Sequence, residues 1–434
     1  MPETLDAWLH HLETLHPVGI DMGLERVAEV AARMGLERNA FTVPVVTVAG
    51  TNGKGSTVAM LAAVAEVHGL KVGTYTSPHL LRYNERVCFN RVPASDAQLV
   101  AGFCQVEQAR LAFPAVSLTY FEAGTLCALW CLAQADLDLV VLEVGLGGRL
   151  DAVNLIDADV AIVTTIAHDH AAFLGTDIEQ IGREKAGIFR AGSPVVLGSR
   201  SLPESVRQCA DALGAPVYAL GEAFQHDAGN NDCWTWVGRE AGQSLAALPD
   251  PGLPRDNAAT ALQALALCRV PLEAALCRTA FEQVSLPGRM QWIGQWCLDV
   301  GHNPHAAGYV AGRLASQACR GRTWGLLGML ADKDADGVIE ALLPVVTDWV
   351  CVSLAGERGR DADDLAHRLG RFGIEVAATA VSPAAGARWI GDRLADTDRV
   401  LATGSFLTVT ELLAMPLPQA VTPREGECYE IRHD

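Results

Sequence analysis

The feature that most constrains the fold is a recurring alternation of short β-branched apolar runs, glycine-containing turns and longer segments rich in alanine and leucine. This alternation is typical of parallel βαβ units, so the sequence predicts the α/β class. In the first part of the chain, strands are predicted at 44–48, 71–75, 137–143, 160–165 and 194–197, and helices at 56–68 and 122–135. A second series of strands is predicted at 296–300, 323–327, 349–353, 373–377 and 399–402.

The chain has 434 residues, more than one hydrophobic core usually supports, and two domains are therefore expected. Turn-forming residues at 285–289 separate the two series of strands, which predicts domains at 1–293 and 294–434. The stretch 225–254 is rich in Gly, Asp and Trp with weak periodicity, and it predicts either a small β excursion or a long loop.

The overall charge argues against nucleic-acid and membrane partners. The sequence has 33 basic and 51 acidic residues, a net charge of −18, which repels phosphates and anionic lipids. The N-terminal 17 residues read as an amphipathic helix rather than a secretion signal, and no apolar run is long enough for a bilayer. We expect a cytoplasmic monomer whose twelve cysteines are reduced and mostly buried.

A glycine-rich loop follows the predicted strand at 44–48 and precedes an alanine-rich helix. In that context backbone N–H groups and the helix N-terminus bind phosphate, and a lysine adds positive charge. Val48 and Gly55 depart from the common Walker pattern, and a plain turn with an exposed lysine is the alternative interpretation. The residues predicted to bind ATP here are Asn52, Gly53, Lys54, Gly55, Ser56 and Thr57.

Further motifs occur in order along the chain. They are IDMGLERV (20–27), TSPHL (76–80), NERV (84–87), YFEAGT (120–125), LEVGLGGRLDA (142–152), REKAGI (183–188), DVGHNPH (299–305) and GSF (404–406). Together with GTNGKGS (50–56), this series resembles the folate branch of the Mur ligase superfamily, the dihydrofolate synthases/folylpolyglutamate synthases. The resemblance implies a P-loop-containing Mur-ligase-like ATPase domain that binds ATP and a pterin, followed by a smaller Rossmann-like α/β domain for glutamate ligation.

Carboxylate and imidazole groups follow two predicted strands, where ligands bind in open α/β sheets. Glu143 ends one strand and His170 follows another. The resemblance implies that Ser77, Glu143 and His170 bind Mg²⁺, with two ions expected and K⁺ as a further candidate. His170 could instead cap the following helix, and the family's apolar residue at position 168 and its Thr-Asp at 171–172 are replaced here by His and Ala-Ala.

Lys185 alone would be interpreted as a solvated helix lysine. The resemblance implies that it is carbamylated and supports the metal site. It also implies that Asn257, Arg289 and Asp299 contact ATP and that His302 has a catalytic role, although Arg289 could instead form a salt bridge at the domain junction. The pterin-binding residues implied by the resemblance are Phe121, Glu122, Ala123, Gly124, Leu150, Asp151 and Ala152. In the alternative interpretation, Phe121 is a core residue and Glu122 is a helix N-terminal acid.

The chemistry implied by the resemblance is ATP-dependent ligation. ATP phosphorylates a carboxylate, and the amine of L-glutamate then displaces phosphate. The expected acceptors are dihydropteroate and reduced folates. A peptidoglycan-type ligase acting on a UDP-sugar peptide is the nearest alternative, and an ATP-hydrolysing P-loop regulator is another. Acceptor-dependent phosphate release would separate these alternatives.

Overall fold

A computed structural model describes residues 1–16, 21–169, 171–228, 233–239 and 243–419. The chain divides into two compact units, Met1–Leu286 and Pro287–Asp434. This division lies before the boundary expected after residue 293. The segment after Pro287 belongs to the second unit because Val300 N–H donates to the Gly288 carbonyl and residues 291–293 pair with 296–298. Within the described ranges, no helix has the length and apolar character needed to span a bilayer.

The first unit is built on an eight-stranded sheet with the order β4-β3-β2-β5-β1-β6-β7-β8. Its strands are β1 (Val45–Ala49), β2 (Val72–Tyr75), β3 (Val87–Phe89), β4 (Val92–Pro93), β5 (Leu139–Glu143), β6 (Val160–Val163), β7 (Val195–Leu197) and β8 (Val217–Ala219). All neighbours are parallel except the β2–β3 and β3–β4 pairs. The α/β class predicted from the sequence is confirmed.

Helices cover both faces of this sheet. They are α1 (Leu5–Glu13), α2 (Glu25–Arg33), α3 (Lys54–Val67), α4 (Asp96–Leu111), α5 (Tyr120–Ala133), α6 (Ala171–Leu174), α7 (Ile178–Ala186), α8 (Glu204–Ala212), α9 (Arg255–Leu267) and α10 (Ala274–Gln283), with 3₁₀ turns at Tyr83–Arg86 and Ala152–Leu155. The core of one face contains α3, α9 and α10, and a core of the other face contains α1, α2, α4 and α5. The small alanines of α3 let it lie buried between the sheet and α9.

The stretch at 225–254 contains a small antiparallel sheet with the order β11-β10-β9. Its strands are β9 (Gln225–Ala228), β10 (Cys233–Val237) and β11 (Ser244–Pro249). Trp234 and Trp236 alternate with more exposed residues along β10 and are fully buried in the core that contains Phe281. The β excursion is therefore confirmed, and the long-loop alternative is wrong.

The second unit contains a six-stranded sheet with the order β12-β13-β17-β14-β15-β16, in which only β12 is antiparallel to its neighbour. Its strands are β12 (Gln291–Ile293), β13 (Trp296–Leu298), β14 (Thr323–Leu327), β15 (Asp348–Val352), β16 (Ala378–Ala380) and β17 (Arg399–Thr403). Its helices are α11 (Pro304–Ala315), α12 (Ala335–Leu342), α13 (Ala362–Arg371), α14 (Pro383–Gly391) and α15 (Phe406–Leu413).

One predicted strand is wrong. Residues 373–377 form no strand, and the strand in this part of the chain is β16. Gly373 has a φ of +76° and Ile374 N–H donates to the Leu369 carbonyl, so these residues terminate α13. The chain then needs several residues to return to the sheet, and the apolar run that suggested a strand is used for this return.

Candidate active site

The predicted phosphate loop joins β1 to α3, and two of its glycines have no space for a side chain. Gly50 has a φ of +151°, and an added Cβ would lie 1.9 Å from the Thr164 hydroxyl oxygen. Gly53 has a φ of +87°, and an added Cβ would lie 2.7 Å from Asn257 Nδ2. The loop conformation therefore requires glycine at both positions.

Hydrogen bonds from the end of β6 hold the tip of this loop. Thr51 N–H donates to the Thr165 carbonyl at 2.7 Å, and Asn52 N–H donates to Thr165 Oγ1 at 3.1 Å. The Asn52 carbonyl accepts from the hydroxyls of Thr164 and Thr165 at 2.7 and 3.0 Å. Thr164 and Thr165 are not among the site residues predicted from the sequence, although their position directly after a buried strand is a signal for such a role.

The structure brings Lys54 and Lys185 to the same carbonyl. Lys54 Nζ donates to the Gly50 and Thr51 carbonyls at 3.0 and 3.3 Å, and Lys185 Nζ donates to the Gly50 carbonyl at 3.1 Å. Lys185 is buried, not solvated. Burial, and secondarily the charge of Lys54, lowers the pKa of Lys185 to about 7. The amine is therefore far easier to deprotonate than that of an exposed lysine.

Polar side chains at the start of α3 also converge on the loop. The hydroxyls of Ser56 and Thr57 donate to the Gly53 carbonyl at 3.0 and 2.8 Å. Asn257, on α9, is buried and donates from Nδ2 to Ser56 Oγ at 2.8 Å. Asn257 is thus next to the phosphate loop, although 201 positions separate it from Ser56 in sequence.

A cleft opens beside these lysines. Its lining consists of Gly50, Thr51, Lys54, Gly145, Leu146, Gly147, Asp169, Leu174 and Lys185. The positive charge of Lys54 and the start of α3, where backbone N–H groups are directed outward, make this cleft suitable for an anionic group such as a phosphate.

The proposed metal ligands Ser77 and Glu143 are adjacent. Glu143 ends β5, is 5% exposed, and accepts the backbone N–H of Ser77 at 3.2 Å through Oε2. His170 lies outside the described residues. Among the described residues, no group of three or more His, Cys, Asp or Glu could hold a metal ion. A carboxylate and a hydroxyl nevertheless fit Mg²⁺, which keeps several waters and uses phosphate oxygens as ligands.

Two of the predicted pterin-binding residues meet at Gly145. A Cβ added to Gly145 would lie 2.5 Å from Phe121 Cζ and 3.3 Å from Asp151 Oδ2. Asp151 is buried and accepts the N–H groups of Leu146 and Val153 at 2.8 and 2.9 Å. Burial raises the pKa of Asp151 to about 6 despite these hydrogen bonds. Phe121 and Asp151 therefore approach the loop that also lines the cleft.

Both oxygens of the Glu122 carboxylate accept hydrogen bonds from other residues of the protein. Its Oε2 accepts the Thr119 N–H at 2.8 Å, which forms a capping box with the Thr119 hydroxyl. Its Oε1 accepts from the Arg26 guanidinium at 3.0 Å, and the same guanidinium pairs with Asp21 at 2.6 Å. Arg26 was not identified from the sequence, because nothing local predicts a contact between residues 96 positions apart.

The remaining predicted pterin-binding residues lie in the same part of the fold. Ala123 and Gly124 are buried in the first turn of α5, and a Cβ on Gly124 would lie 2.4 Å from the Tyr83 hydroxyl. Leu150 is half-buried, and Ala152 is buried at the start of a 3₁₀ turn. Ala123, Gly124 and Ala152 therefore leave little side chain for a ligand to contact.

In the second unit, Arg289, Asp299 and His302 form one cluster with Phe406. Asp299 is buried and accepts the N–H groups of Met290 and Gly301 at 2.9 and 2.7 Å. Burial raises the pKa of Asp299, although the charge of Arg289 opposes this shift.

The Phe406 ring lies next to the other two residues of this cluster, Arg289 and His302. The Arg289 guanidinium lies 5.0 Å from the centre of the Phe406 ring, and the His302 ring lies 6.2 Å from it. Phe406 belongs to a motif recognised in the sequence, but it was not predicted as a site residue.

Comparisons with known proteins agree with this arrangement. Residues 48–197 match the Mur ligase middle domain, and residues 288–406 match the Mur ligase glutamate ligase domain. The dihydrofolate synthase/folylpolyglutamate synthase of Escherichia coli is 44% identical over 413 residues, which cover 94% of each chain. The protein of the same name from Haemophilus influenzae is 39% identical and covers 95% of this chain and 97% of its own.

Solved structures give the same result. The E. coli enzyme in complex with DHPP and ADP superposes with a TM-score of 0.90 at 42% identity, covering 95% of this chain and 98% of its own. A bifunctional folylpolyglutamate synthase/dihydrofolate synthase with Mn, AMPPNP and L-glutamate bound superposes with a TM-score of 0.87 at 43% identity, with the same coverage. The predicted family is confirmed: the chain belongs to the dihydrofolate synthase/folylpolyglutamate synthase family of Mur ligases.

Proposed function

We propose that this protein is an ATP-dependent ligase that adds L-glutamate to dihydropteroate and further glutamates to reduced folates. The observation that carries this proposal is the position of the loop at 145–147, which lies next to both the predicted phosphate-binding residues and the predicted pterin-binding residues. It lines the cleft that contains Lys54 and Lys185, and at Gly145 it contacts Phe121 and approaches Asp151. A phosphate-binding site and an acceptor-binding site that share one loop suit the transfer of a phosphoryl group to a bound carboxylate.

The relatives support the same activity. Proteins named dihydrofolate synthase/folylpolyglutamate synthase match nearly the whole chain, and solved members bind ADP with DHPP, or Mn with AMPPNP and L-glutamate. A peptidoglycan-type ligase and a P-loop regulator account less well for this similarity, because it extends over the acceptor segments as well as the phosphate loop.

The reaction proceeds in two steps. An acceptor carboxylate oxygen attacks the γ-phosphorus of ATP, the bond to the β-γ bridging oxygen breaks, and ADP leaves. The neutral amine of glutamate then attacks the acyl carbon, and the tetrahedral intermediate expels phosphate and a proton. Lys54 offsets charge on the transferred group, and the N–H groups of the phosphate loop orient it. Mg²⁺ bound by Ser77, Glu143 and His170 would supply further neutralisation of the phosphate oxygens.

The remaining assignments form part of the same proposal. Asn257, Arg289 and Asp299 contact ATP, and His302 has a catalytic role. The acceptor-binding residues include Glu122, whose carboxylate also caps the start of α5. The first unit binds ATP and the pterin, and the second serves glutamate ligation. K⁺ is a further cofactor proposal to which no residue is assigned.

Lys185 is proposed to be carbamylated. The ammonium group first loses a proton. The neutral amine then attacks CO₂, a nitrogen–carbon bond forms, and a second proton leaves, so that a cation becomes an anion. A pKa near 7 favours this reaction because a useful fraction of the amine is neutral at physiological pH. The modification would also replace repulsion between Lys185 and Lys54 with attraction, since both amines now approach the Gly50 carbonyl.

The test is a product assay by mass spectrometry. The purified protein is incubated with ATP, Mg²⁺, glutamate and either dihydropteroate or tetrahydrofolate. We expect products that are heavier than each acceptor by one glutamyl residue, and longer chains from the folate, with one phosphate released per bond. Phosphate release that is independent of both acceptors would contradict the proposal and favour the regulator. Ligation of a UDP-sugar peptide alone would favour the peptidoglycan-type ligase.

A further inference from the structure

The segment that follows Ser77 contains a hydrogen-bonded pair of side chains, His79 and Arg86, to which the mechanism above assigns no role. Arg86 is only 9% exposed, and its Nε donates to His79 Nδ1 at 2.9 Å. Because a guanidinium remains protonated in proteins, Nδ1 of His79 must be the acceptor in this bond. The proton of the neutral imidazole is therefore on Nε2, which leaves that nitrogen as a donor.

The surroundings of Arg86 supply aromatic rings but no counter-charge. Its guanidinium lies 5.1 Å from the centre of the Tyr83 ring and 5.9 Å from that of Tyr120. Within the described part of the chain, no carboxylate lies within ion-pair distance of Arg86. The carboxylate of Glu85 instead accepts the backbone N–H groups of residues 80–82. A buried cation with only neutral partners is costly, and proteins usually pair such a group.

The location of the pair connects it to both halves of the proposed chemistry. The Arg86 carbonyl accepts the N–H of Thr76, the residue before Ser77. Tyr120, which packs on the guanidinium, directly precedes Phe121. The Phe121 ring in turn lies 6.4 Å from the ring of Tyr75. Arg86 therefore lies between the proposed metal-binding segment and the proposed acceptor-binding segment.

We propose that His79 and Arg86 bind the carboxylate of the acceptor substrate, which supplies the missing negative charge. This inference rests on the proposed function. A guanidinium can offer two parallel N–H groups to one carboxylate, a geometry that a point charge cannot reproduce. The ligand class is thus a carboxylate at the end of an aromatic or glutamyl acceptor. The incoming glutamate is the other source of the same chemistry, and the experiment separates the two.

The experiment measures direct binding to the full-length protein. Dihydropteroate is compared with a pterin that lacks the benzoate carboxylate, by titration calorimetry, and ADP binding is measured in parallel. The KM for glutamate is measured by steady-state kinetics with the same proteins. The variants are Arg86→Gln, which removes the charge, and Arg86→Lys, which keeps the charge but loses the fork. Arg82→Gln is the matched control, because Arg82 precedes the same 3₁₀ turn but its side chain is 70% exposed and pairs with Asp96.

We expect the wild-type protein to prefer the carboxylated ligand, and Arg86→Gln to weaken dihydropteroate binding by roughly ten- to a hundredfold, as for loss of a charge-assisted hydrogen bond. Binding of the carboxylate-free pterin and of ADP should change less than about twofold, since neither uses this charge. Arg86→Lys should fall between the wild type and Arg86→Gln. Arg82→Gln should behave as the wild type.

Several results would overturn the inference. Equal wild-type affinity for the two pterins would do so without any variant, even if Arg86→Gln failed to fold. Parallel loss of all three ligands in a folded Arg86→Gln protein would show a packing role only. An increase confined to the KM for glutamate would assign the pair to the incoming amino acid. A wild-type protein that forms glutamylated products but shows no preference overturns this inference alone, whereas one that binds no pterin and forms no product overturns the proposed function as well.

Discussion

The nucleotide end and the acceptor end of the site are built in different ways. At the nucleotide end, Lys54 and Thr57 bond to carbonyls within the same loop, three or four residues away. At the acceptor end, Glu122 is held by Arg26, 96 positions away, and Phe121 packs against Gly145. One end is defined mainly by local backbone geometry, and the other by side chains that meet only in the folded chain.

This difference suggests a division of tasks. A loop whose lysine and hydroxyl groups bond mainly to its own carbonyls presents a fixed array of donors, which suits a phosphate that is the same in every turnover. Side-chain contacts between distant elements can change one at a time, which suits recognition of an acceptor. We therefore expect substitutions at the nucleotide end to lower kcat, and substitutions at the acceptor end to raise the KM for the acceptor while leaving the KM for ATP unchanged.

The largest effect is expected for Lys185→Met. This change keeps the length and apolar stem of the side chain but removes the amine, so no carbamate can form. We expect kcat to fall by about 100-fold or more, as when a charged group that acts on the transition state is removed. Steady-state kinetics with ATP, glutamate and dihydropteroate would measure it. Lys71→Met is the control, because Lys71 is exposed and pairs with the acidic side chain of Asp136. Wild-type turnover in Lys185→Met would remove this residue from the mechanism.

The lowered pKa of Lys185 also predicts that the stability of the protein depends on pH. Because its pKa in the folded protein is about 7, against an ordinary value of 10.5, the unfolded chain binds more protons between these two values. Stability of the unmodified protein should therefore rise as the pH increases from about 7 to about 10.5. Thermal unfolding of the wild type and of Lys185→Met, in buffers freed of CO₂, would test this, and the variant should lack this increase.

Most of the fold could be predicted because its signals are local. Buried parallel strands such as β5 are continuous apolar runs, and they were located within two residues of their ends. The prediction at 373–377 was wrong because Gly373, with its left-handed conformation, ends a helix there, and the apolar residues that follow return the chain to the sheet. The sequence shows which residues are apolar but not which of them are needed to cover the distance to the next strand.

The same limit applies to the site. The phosphate loop was identified because its glycines, lysine and hydroxyls are contiguous. Arg26, Thr164 and Phe406 were missed because each acts through a contact with a residue remote in sequence. Glu122 illustrates this limit. Its position at a helix start could be predicted from the local sequence, whereas its ion pair with Arg26 is visible only in the folded structure.

An intermediate effect is expected for Arg26→Ala. Without the guanidinium, the buried carboxylate of Glu122 loses an ionic partner and the first turn of α5 loses its link to Asp21. We expect the KM for dihydropteroate to rise about tenfold, the scale of one lost charge-assisted hydrogen bond, with the KM for ATP unchanged. Arg38→Ala is the control, because Arg38 is 74% exposed and only approaches Asp157 at 3.7 Å. An equal rise in both KM values would show that the two ends do not act separately.

The smallest effect is expected for Gly145→Ala, which tests the loop that the two ends share. Gly145 is not in the left-handed region, so alanine costs little in backbone conformation. Its Cβ would lie 2.5 Å from Phe121 Cζ, at the far end of a side chain that can rotate away. We expect the KM for dihydropteroate to rise about threefold, since a modest repacking costs well under the loss of a whole contact.

Phe121→Leu provides the second half of a double-mutant cycle for this loop. If the alanine acts by displacing the aromatic ring, its effect should largely disappear in the Phe121→Leu background, because a shorter side chain leaves room for the methyl group. Steady-state kinetics of the wild type, the two single variants and the double variant would give the coupling. If Gly145→Ala instead raised the KM for ATP and its effect persisted without the ring, the loop would belong to the nucleotide end alone, and the contact with Phe121 would be incidental.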